Sequence, residues 1–402
     1  MRPRSHGSVI LSAMGAPRVA FLPDSFHEVN GVAHTARNFT AYAQRQGLPF
    51  LSIRAGAPGS RGSAAIVTQD SVTAVDLPRS RAAIAMEKDL SFDPLFARYS
   101  ASIGRALHDF QPDLIHITGP SELGIFGAYY AWKMGIPLAA SWHTNVHEYA
   151  GRRSARLGPR AATWIEDAAL AATARFYRLA RVLYAPNEEL CTLLQQRTQR
   201  PCHVMRRGVD TTLFNPAKRT RAKDDDTIIL GYVGRLSVEK NIAMLPRIEA
   251  ALREAGITNT KFVIVGHGGD EAALRASLPT AAFAGVLRGE ALATAYANMD
   301  IFVFPSDTDT FGNVVLEALA SGVPAVVTTG GGPKFIVHDG QTGFVRTPSL
   351  MAEPIADLVR DASLRQRMAH AAREYALGCR WDAIFDDVYA HYPAAAHPDP
   401  AP

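Results

Sequence analysis

What this chain of 402 residues lacks narrows its identity first. It has three cysteines, Cys191, Cys202 and Cys379, widely separated and without metal-ligand spacing. That excludes a disulfide framework, gives no zinc motif, and fits a reducing cytoplasm. No apolar run approaches the ~20 residues needed to cross a bilayer. No collagen period, heptad repeat or disordered composition is present. Charge is sparse, at 20% of residues with a formal net of +4, and no nucleic-acid-binding motif accompanies it. The first 14 residues imitate a secretion signal in outline, but their apolar part is short and is broken by Ser12. Residues 1–17 therefore read as a flexible leader before the first strand.

What is there, 47% hydrophobic residues over this length, is enough for two α/β domains with separate cores. Strand-like runs at 18–22, 49–53, 72–76, 113–118, 138–142 and 182–185 alternate with helical patterns at 32–46, 94–110, 121–134, 161–180 and 187–197. This alternation predicts parallel sheets built from βαβ units. The polar stretch 215–226 interrupts it and reads as an interdomain linker. A second series of strands follows at 228–234, 261–265, 282–285, 301–304 and 325–328. The expected organisation is a Rossmann-like domain at 18–214 and another at 227–378, facing each other across a cleft, then a helix at 379–392 and a disordered tail at 393–402.

The chemistry concentrates at strand ends. Ile301–Phe304 leads into a polar loop with Asp309, then Phe311-Gly312-Asn313-Val314 at a helix start, with Glu317 about two turns beyond Asp309. Loops at the carboxyl ends of parallel strands are where open α/β sheets bind ligands, and helix starts attract anions. Two carboxylates so placed can accept hydrogen bonds from sugar hydroxyls; the same spacing also fits an ordinary helix entry with solvated acids. Gly234-Arg235-Leu236-Ser237-Val238-Glu239-Lys240-Asn241 puts two cations at a strand-to-helix turn, able to neutralise a diphosphate. Gly31, at the end of Leu22–Gly31, lets backbone approach a phosphate. His143 follows a strand in Ser141-Trp142-His143-Thr144-Asn145; an isolated histidine there is more often a structural hydrogen-bonder than a catalyst. His143, His147 and Glu148 are not in the order of a zinc protease motif, so no metal is assigned. Val265-Gly266-His267-Gly268-Gly269 lacks the third glycine of a dinucleotide fingerprint.

These motifs resemble those of family 4, the retaining nucleotide-sugar glycosyltransferases of GT-B architecture, and in particular the branch transferring mannosyl, glucosyl or sulfoquinovosyl groups to lipids. The likeness runs from about Arg18 to Trp381 and is strongest from Gly231 to Phe344. Asp309 stands where many members have Glu, opening the acid-x7-Glu motif that Glu317 closes. The resemblance implies that Arg235 and Lys240 grip the donor diphosphate, Glu317 the ribose, and Asp309 with the backbone of Phe311, Gly312 and Asn313 the sugar hydroxyls. Gly31 and Val314 join the donor side, Val286 lies where the base is seated, and His143 contacts the transferred sugar. It further implies retention of configuration, no metal, no cofactor beyond the nucleotide sugar, and a last helix crossing back onto the first domain.

Between Arg152 and Arg207 stand eleven arginines against four acids, interspersed with Trp164, Phe176 and Tyr177. Such a tract suits anionic lipid headgroups or phosphorylated substrates, or forms a solvated helix face. The expected partners are thus a GDP-mannose or UDP-hexose donor, a hydroxyl acceptor of lipid type, and an anionic membrane surface, with no nucleic acid. The expected location is cytoplasmic, peripheral on the inner membrane face. A soluble or polysaccharide acceptor, a nucleotide-sugar epimerase, a phosphorylase and a non-catalytic nucleotide-sugar sensor stay open as alternatives.

Overall fold

The computed structural model describes residues 15–28, 31–56, 64–87, 90–142, 158–222, 225–309 and 311–396. The leader at 1–14, His143, the arginines at 152, 153 and 156, and the tail at 397–402 lie outside the described residues. The chain divides into two compact units, Met1–Arg206 with Trp381–Pro402, and Arg207–Arg380.

Unit 1 is built on an eight-stranded sheet in the order β10-β9-β8-β7-β1-β2-β4-β3. Its strands are β1 (Val19–Leu22), β2 (Phe50–Ala55), β3 (Ala65–Gln69), β4 (Val72–Leu77), β7 (Leu114–Ile117), β8 (Leu138–Ser141), β9 (Val182–Ala185) and β10 (Cys202–Val204). The short antiparallel pair β5 (Ile84–Glu87) and β6 (Leu90–Phe92) stands apart. All neighbours in the large sheet are parallel except β3 and β4. Both faces are covered, as parallel sheets require. Along β1 the period of two is explicit: Ala20 and Leu22 enter one core, Val19 and Phe21 the other.

Helix α1 (Gly31–Arg45) covers the Val19 side. On the other side lie α2 (Ser100–Phe110), α3 (Glu122–Met134), α4 (Pro159–Tyr177) and α5 (Glu188–Thr198). Cys191 and Cys202, far from any sequence motif, meet here as thiols with their sulfurs 3.2 Å apart. The edge strand β3, with all five residues exposed, was not expected.

Unit 2 has a six-stranded, wholly parallel sheet in the order β13-β12-β11-β14-β15-β16. These are β11 (Ile228–Val233), β12 (Thr260–Val265), β13 (Ala282–Gly285), β14 (Ile301–Phe304), β15 (Ala325–Thr328) and β16 (Gly343–Arg346). Around it pack α6 (Met244–Glu254), α7 (Glu271–Ser277), α8 (Gly289–Ala297), α9 (Asn313–Ala320), α10 (Ala352–Arg360) and α11 (Ala362–Gly378), with one contiguous apolar core.

Two expectations need correcting. The polar stretch 215–226 is not a free linker. Arg219 and Arg221 both pair with Asp300, at 2.9 and 2.6 Å, while the Asn298 side chain accepts from the backbone of Thr220 and Arg221. Charge-assisted bonds hold this segment to unit 2, and the chain passes between units at Arg206–Arg207 and at Arg380–Trp381. The tail also begins later than expected, because α12 runs from Trp381 to Ala396 through Pro393. This helix belongs to unit 1, where Phe385 stacks on Phe39 at 4.5 Å and Tyr42 donates to Asp386 at 2.5 Å. Nearer its end, Tyr392 meets the buried His116 Nδ1 at 2.5 Å, and Arg181 donates to the Ala395 carbonyl. Burial holds His116 down to about 3, so the ring is neutral.

Candidate active site

In unit 2 the chain leaves β11 for β12 on one side and later crosses to β14 on the other. The adjacent carboxyl ends of β11 and β14 therefore form the switch point at which such sheets open a crevice. The two loops that start there, after Val233 and after Phe304, carry Arg235, Lys240 and Asp309.

The β11 loop is braced by its neighbour. Gly234 N–H donates to the Val265 carbonyl and Leu236 N–H to that of His267, and Asp270 N–H returns a bond to Leu236. The glycine-rich turn after β12 is thus a scaffold for the Arg235 loop. Buried Tyr232 donates its hydroxyl to the Arg235 carbonyl at 2.9 Å. A short 3-10 turn, Val238–Lys240, then presents Lys240. Its ammonium lies 2.7 Å from Asp309 Oδ1, and both side chains are mostly sheltered. Sequence reasoning gave these residues separate tasks; the structure joins them as an ion pair. Arg235 is half exposed and faces Glu239 at 3.5 Å. Partial burial acts to raise the Glu239 carboxyl, but hydrogen bonding and the cations Arg235 and Lys240 outweigh it and hold the group below its ordinary value.

The β14 loop is fixed from two directions. Thr308 donates to the Glu239 carbonyl at 3.0 Å, and Gly332 N–H donates to the Asp309 carbonyl at 2.6 Å. Gly312 opens α9 at φ 94°, where a Cβ would stand 2.9 Å from Pro333 Cγ, so only glycine fits. Phe311 is buried in the unit 2 core, and Val314 packs on that core from its edge. Glu317, one turn into α9, accepts from the Tyr296 hydroxyl at 2.9 Å. Desolvation pushes its carboxyl up to about 7, against the lowering effect of that bond. Asp309 Oδ2 and Asn313 Oδ1 are buried acceptors without a hydrogen-bond partner among the described residues. Such atoms are rare in folded proteins and match the hydroxyl groups of a polyol.

Val286 is 63% exposed just beyond the end of β13. Gly31 is the first residue of α1 in unit 1, as expected for a helix start. Among the described residues no group of three or more His, Cys, Asp or Glu could hold a metal ion, and no helix is long and apolar enough to cross a membrane.

With this geometry in hand, residues 29–213 match Glycosyltransferase Family 4 and residues 214–376 match Glycosyl transferases group 1. A GDP-mannose-dependent alpha-mannosyltransferase of Mycobacterium tuberculosis (strain CDC 1551 / Oshkosh) is 33% identical over 388 residues, 94% of this chain and 96% of that protein. The chain belongs to glycosyltransferase family 4. The sulfoquinovosyl transferase SQD2 of Arabidopsis thaliana is 30% identical to this glycosyltransferase over 72% of its chain and 58% of the plant protein. Among solved structures, sucrose-phosphate synthase from Thermosynechococcus elongatus aligns at a TM-score of 0.70 and 17% identity, covering 94% of this chain and 100% of that one. Anabaena HepE in complex with UDP and glucose aligns at 0.65 and 17%, with coverage of 94% and 100%. The fold of the glycosyltransferase is GT-B, and its activity is glycosyl transfer.

Sequence reasoning missed three neighbours of this site. Tyr296 sits on α8, outside any motif, and no spacing signal links it to Glu317. Thr308 stands in the polar loop before Asp309, and its residue type alone does not point to the Glu239 carbonyl. Arg207 was counted in the basic tract, yet it is 6% exposed, with its guanidinium over the Phe311 ring at 6.0 Å. Burial lowers it to about 10, where it is still a cation at neutral pH. Other members of the tract are also engaged internally: Arg181 with Ala395, Arg200 with the Arg178 carbonyl, and Arg206 with Glu188. These three stay exposed and keep their charge, so of the four only Arg207 is withdrawn from the surface.

Proposed function

We propose that this glycosyltransferase moves mannose from GDP-mannose to a lipid hydroxyl, retaining the anomeric configuration and using no metal. The observation that carries the reading is the Lys240–Asp309 pair at the β11/β14 switch point, flanked by Asn313 Oδ1 and, one turn along, by Glu317. The mannose donor is supported by 33% identity along nearly the whole chain to enzymes named GDP-mannose-dependent alpha-mannosyltransferases.

In this mechanism Arg235 and Lys240 hold the diphosphate. As the bond from the sugar C1 to phosphate oxygen breaks, its electron pair stays on phosphate, and charge grows where the two cations stand. One preorganised donor of this kind contributes ~3–4 kcal/mol to the transition state. Asp309 keeps Lys240 in place, and its second oxygen, with Asn313 and the loop backbone at Phe311 and Gly312, accepts or donates to sugar hydroxyls. Glu317 binds the ribose, Val286 borders the base, and Val314 seats the loop on the core. Gly31 is assigned to the donor phosphate and His143 to the transferred sugar. The acceptor oxygen bonds to C1 on the face the phosphate leaves, and its proton passes to the departing phosphate oxygen.

A lipid acceptor is supported by the outer faces of two unit 1 helices. Ile125, Tyr129 and Trp132 share one exposed stripe of α3, with Trp132 80% exposed. Trp164 on α4 is 72% exposed, between the exposed Arg160 and Arg175. Aromatic rings beside cations suit an anionic bilayer interface. These faces support the reading of a peripheral protein, and the cytoplasmic side of the membrane is part of the same proposal. A soluble acceptor is the second reading, favoured by 32% identity over 46% of the chain to a D-inositol 3-phosphate glycosyltransferase of Stackebrandtia nassauensis.

The test pairs GDP-mannose or UDP-glucose with vesicles of phosphatidylglycerol containing diacylglycerol or phosphatidylinositol, or with inositol 3-phosphate, with and without EDTA. The expected product is an α-mannosyl lipid by proton NMR, formed equally in EDTA. A β-linked product, dependence on added Mg²⁺, or exclusive use of UDP-glucose would overturn the corresponding part.

A further inference from the structure

Unit 1 has its own switch point. The chain leaves β1 for β2 on one side, while β7 leads to β8 on the other, so the adjacent carboxyl ends of β1 and β7 open a crevice. Two residues past the end of β1 stands Asp24, which no motif singled out.

Three contacts build this position. Asp24 N–H donates to Thr118 Oγ1 at 2.7 Å. Ser121 donates its hydroxyl to Asp24 Oδ1 at 2.5 Å while accepting from Gly124 N–H as the N-cap of α3. Gly119 makes room for the carboxylate, because a Cβ there would lie 2.2 Å from Asp24 Oδ2. The β7 loop is thus shaped around the acid.

The electrostatics are unfavourable for a merely structural carboxylate. Burial pushes Asp24 up to about 6, Glu122 nearby adds like charge, and among the described residues no cation is one of the main groups that set its ionisation. The buried phenol of Tyr177 is near enough to feel the charge of the acid, while its hydroxyl donates to the Ser141 carbonyl. A desolvated acid without a cation is costly, and asparagine would satisfy the Ser121 hydroxyl at less expense. Such groups in clefts mark functional sites.

We infer that Asp24 is the residue of unit 1 that binds the attacking hydroxyl of the acceptor, an alcohol of a lipid or polyol. The inference rests on the proposed function, in which unit 1 receives the acceptor. The carboxylate accepts a hydrogen bond from the O–H and so directs an oxygen lone pair toward the sugar; the proton still leaves with the phosphate.

The test is Asp24→Asn beside wild type, on the acceptor panel above, with the GDP-mannose dissociation constant measured separately by thermal shift. The variant should lose about 30-fold in kcat/KM for acceptor, the worth of one hydrogen bond to a charged group, with donor binding within about twofold of wild type. Ser121→Ala should raise the acceptor KM about fivefold, and it carries the test if Asp24→Asn does not fold. Acceptor kcat/KM within about threefold of wild type, or equal losses in donor and acceptor binding, overturns the inference. A wild-type enzyme inactive with every acceptor overturns instead the reading beneath it.

Discussion

Glu317→Gln separates the ionisation of this acid from its shape. Glutamine still accepts from the Tyr296 hydroxyl, so the hydrogen bond at 2.9 Å survives. In the free enzyme the Glu317 carboxyl sits at about 7, raised from 4.5 by desolvation. A raised carboxyl means that the folded state holds its proton more tightly than the unfolded chain. The cost of ionising it is absent below about pH 4.5, grows as pH rises, and is complete above about pH 7. Raising the carboxyl from 4.5 to about 7 corresponds to at most about 3–4 kcal/mol. Glu317→Gln should therefore melt higher than wild type at pH 8 and alike at pH 4.5.

If ribose hydroxyls donate to the carboxylate, donor binding selects the ionised form. The apparent dissociation constant of wild type for GDP-mannose should then rise about tenfold from pH 8 to pH 6. The donor itself does not titrate there, since each phosphate of a sugar diphosphate has already lost its single proton. Glu317→Gln should bind more weakly than wild type at pH 8 and show a flat profile. Isothermal titration at four pH values decides it. A flat wild-type profile, or the same slope in the variant, refutes the assignment of Glu317 to the ribose.

Further outcomes follow from the same contacts. Lys240→Ala should lower transfer about 10²- to 10³-fold in steady-state assays, with Asp309 left without its cation. Gly312→Ala forces a Cβ against Pro333 at φ 94° and should cost ~1–3 kcal/mol in urea unfolding. Tyr392→Phe leaves the buried His116 Nδ1 without its hydroxyl and should cost ~1–3 kcal/mol by the same measurement. Asp300→Ala removes the carboxylate shared by Arg219 and Arg221, which keep their carbonyl bonds and the Arg221–Asp225 pair, so limited trypsin digestion should cut within 219–221 faster than in wild type.

Much of the fold was legible because buried parallel strands announce themselves. Ile301–Phe304 and Ala325–Thr328 are apolar on both faces and were placed to the residue. The edge strand β3 was missed because its residues face solvent and its pairing is set by a tight turn at Asp70, φ 54°. The 215–226 segment misled because its polarity serves pairing with Asp300, which is distant in sequence. At the site, Arg235, Lys240 and Asp309 were legible from spacing at strand ends. Their mutual geometry was not, since the Lys240–Asp309 bond joins loops 69 residues apart. Tyr296, Arg207 and Asp24 owe their interest to burial, which local sequence does not encode.

The proposed function depends above all on Lys240, Asp309 and Glu317 gripping the donor together in unit 2. A crystal structure with GDP-mannose tests it most directly. Lys240 and Arg235 are expected on the diphosphate, a mannose hydroxyl on Asp309 or Asn313, and the ribose on Glu317. A donor bound away from the carboxyl ends of β11 and β14, leaving the Lys240–Asp309 pair untouched, would contradict it.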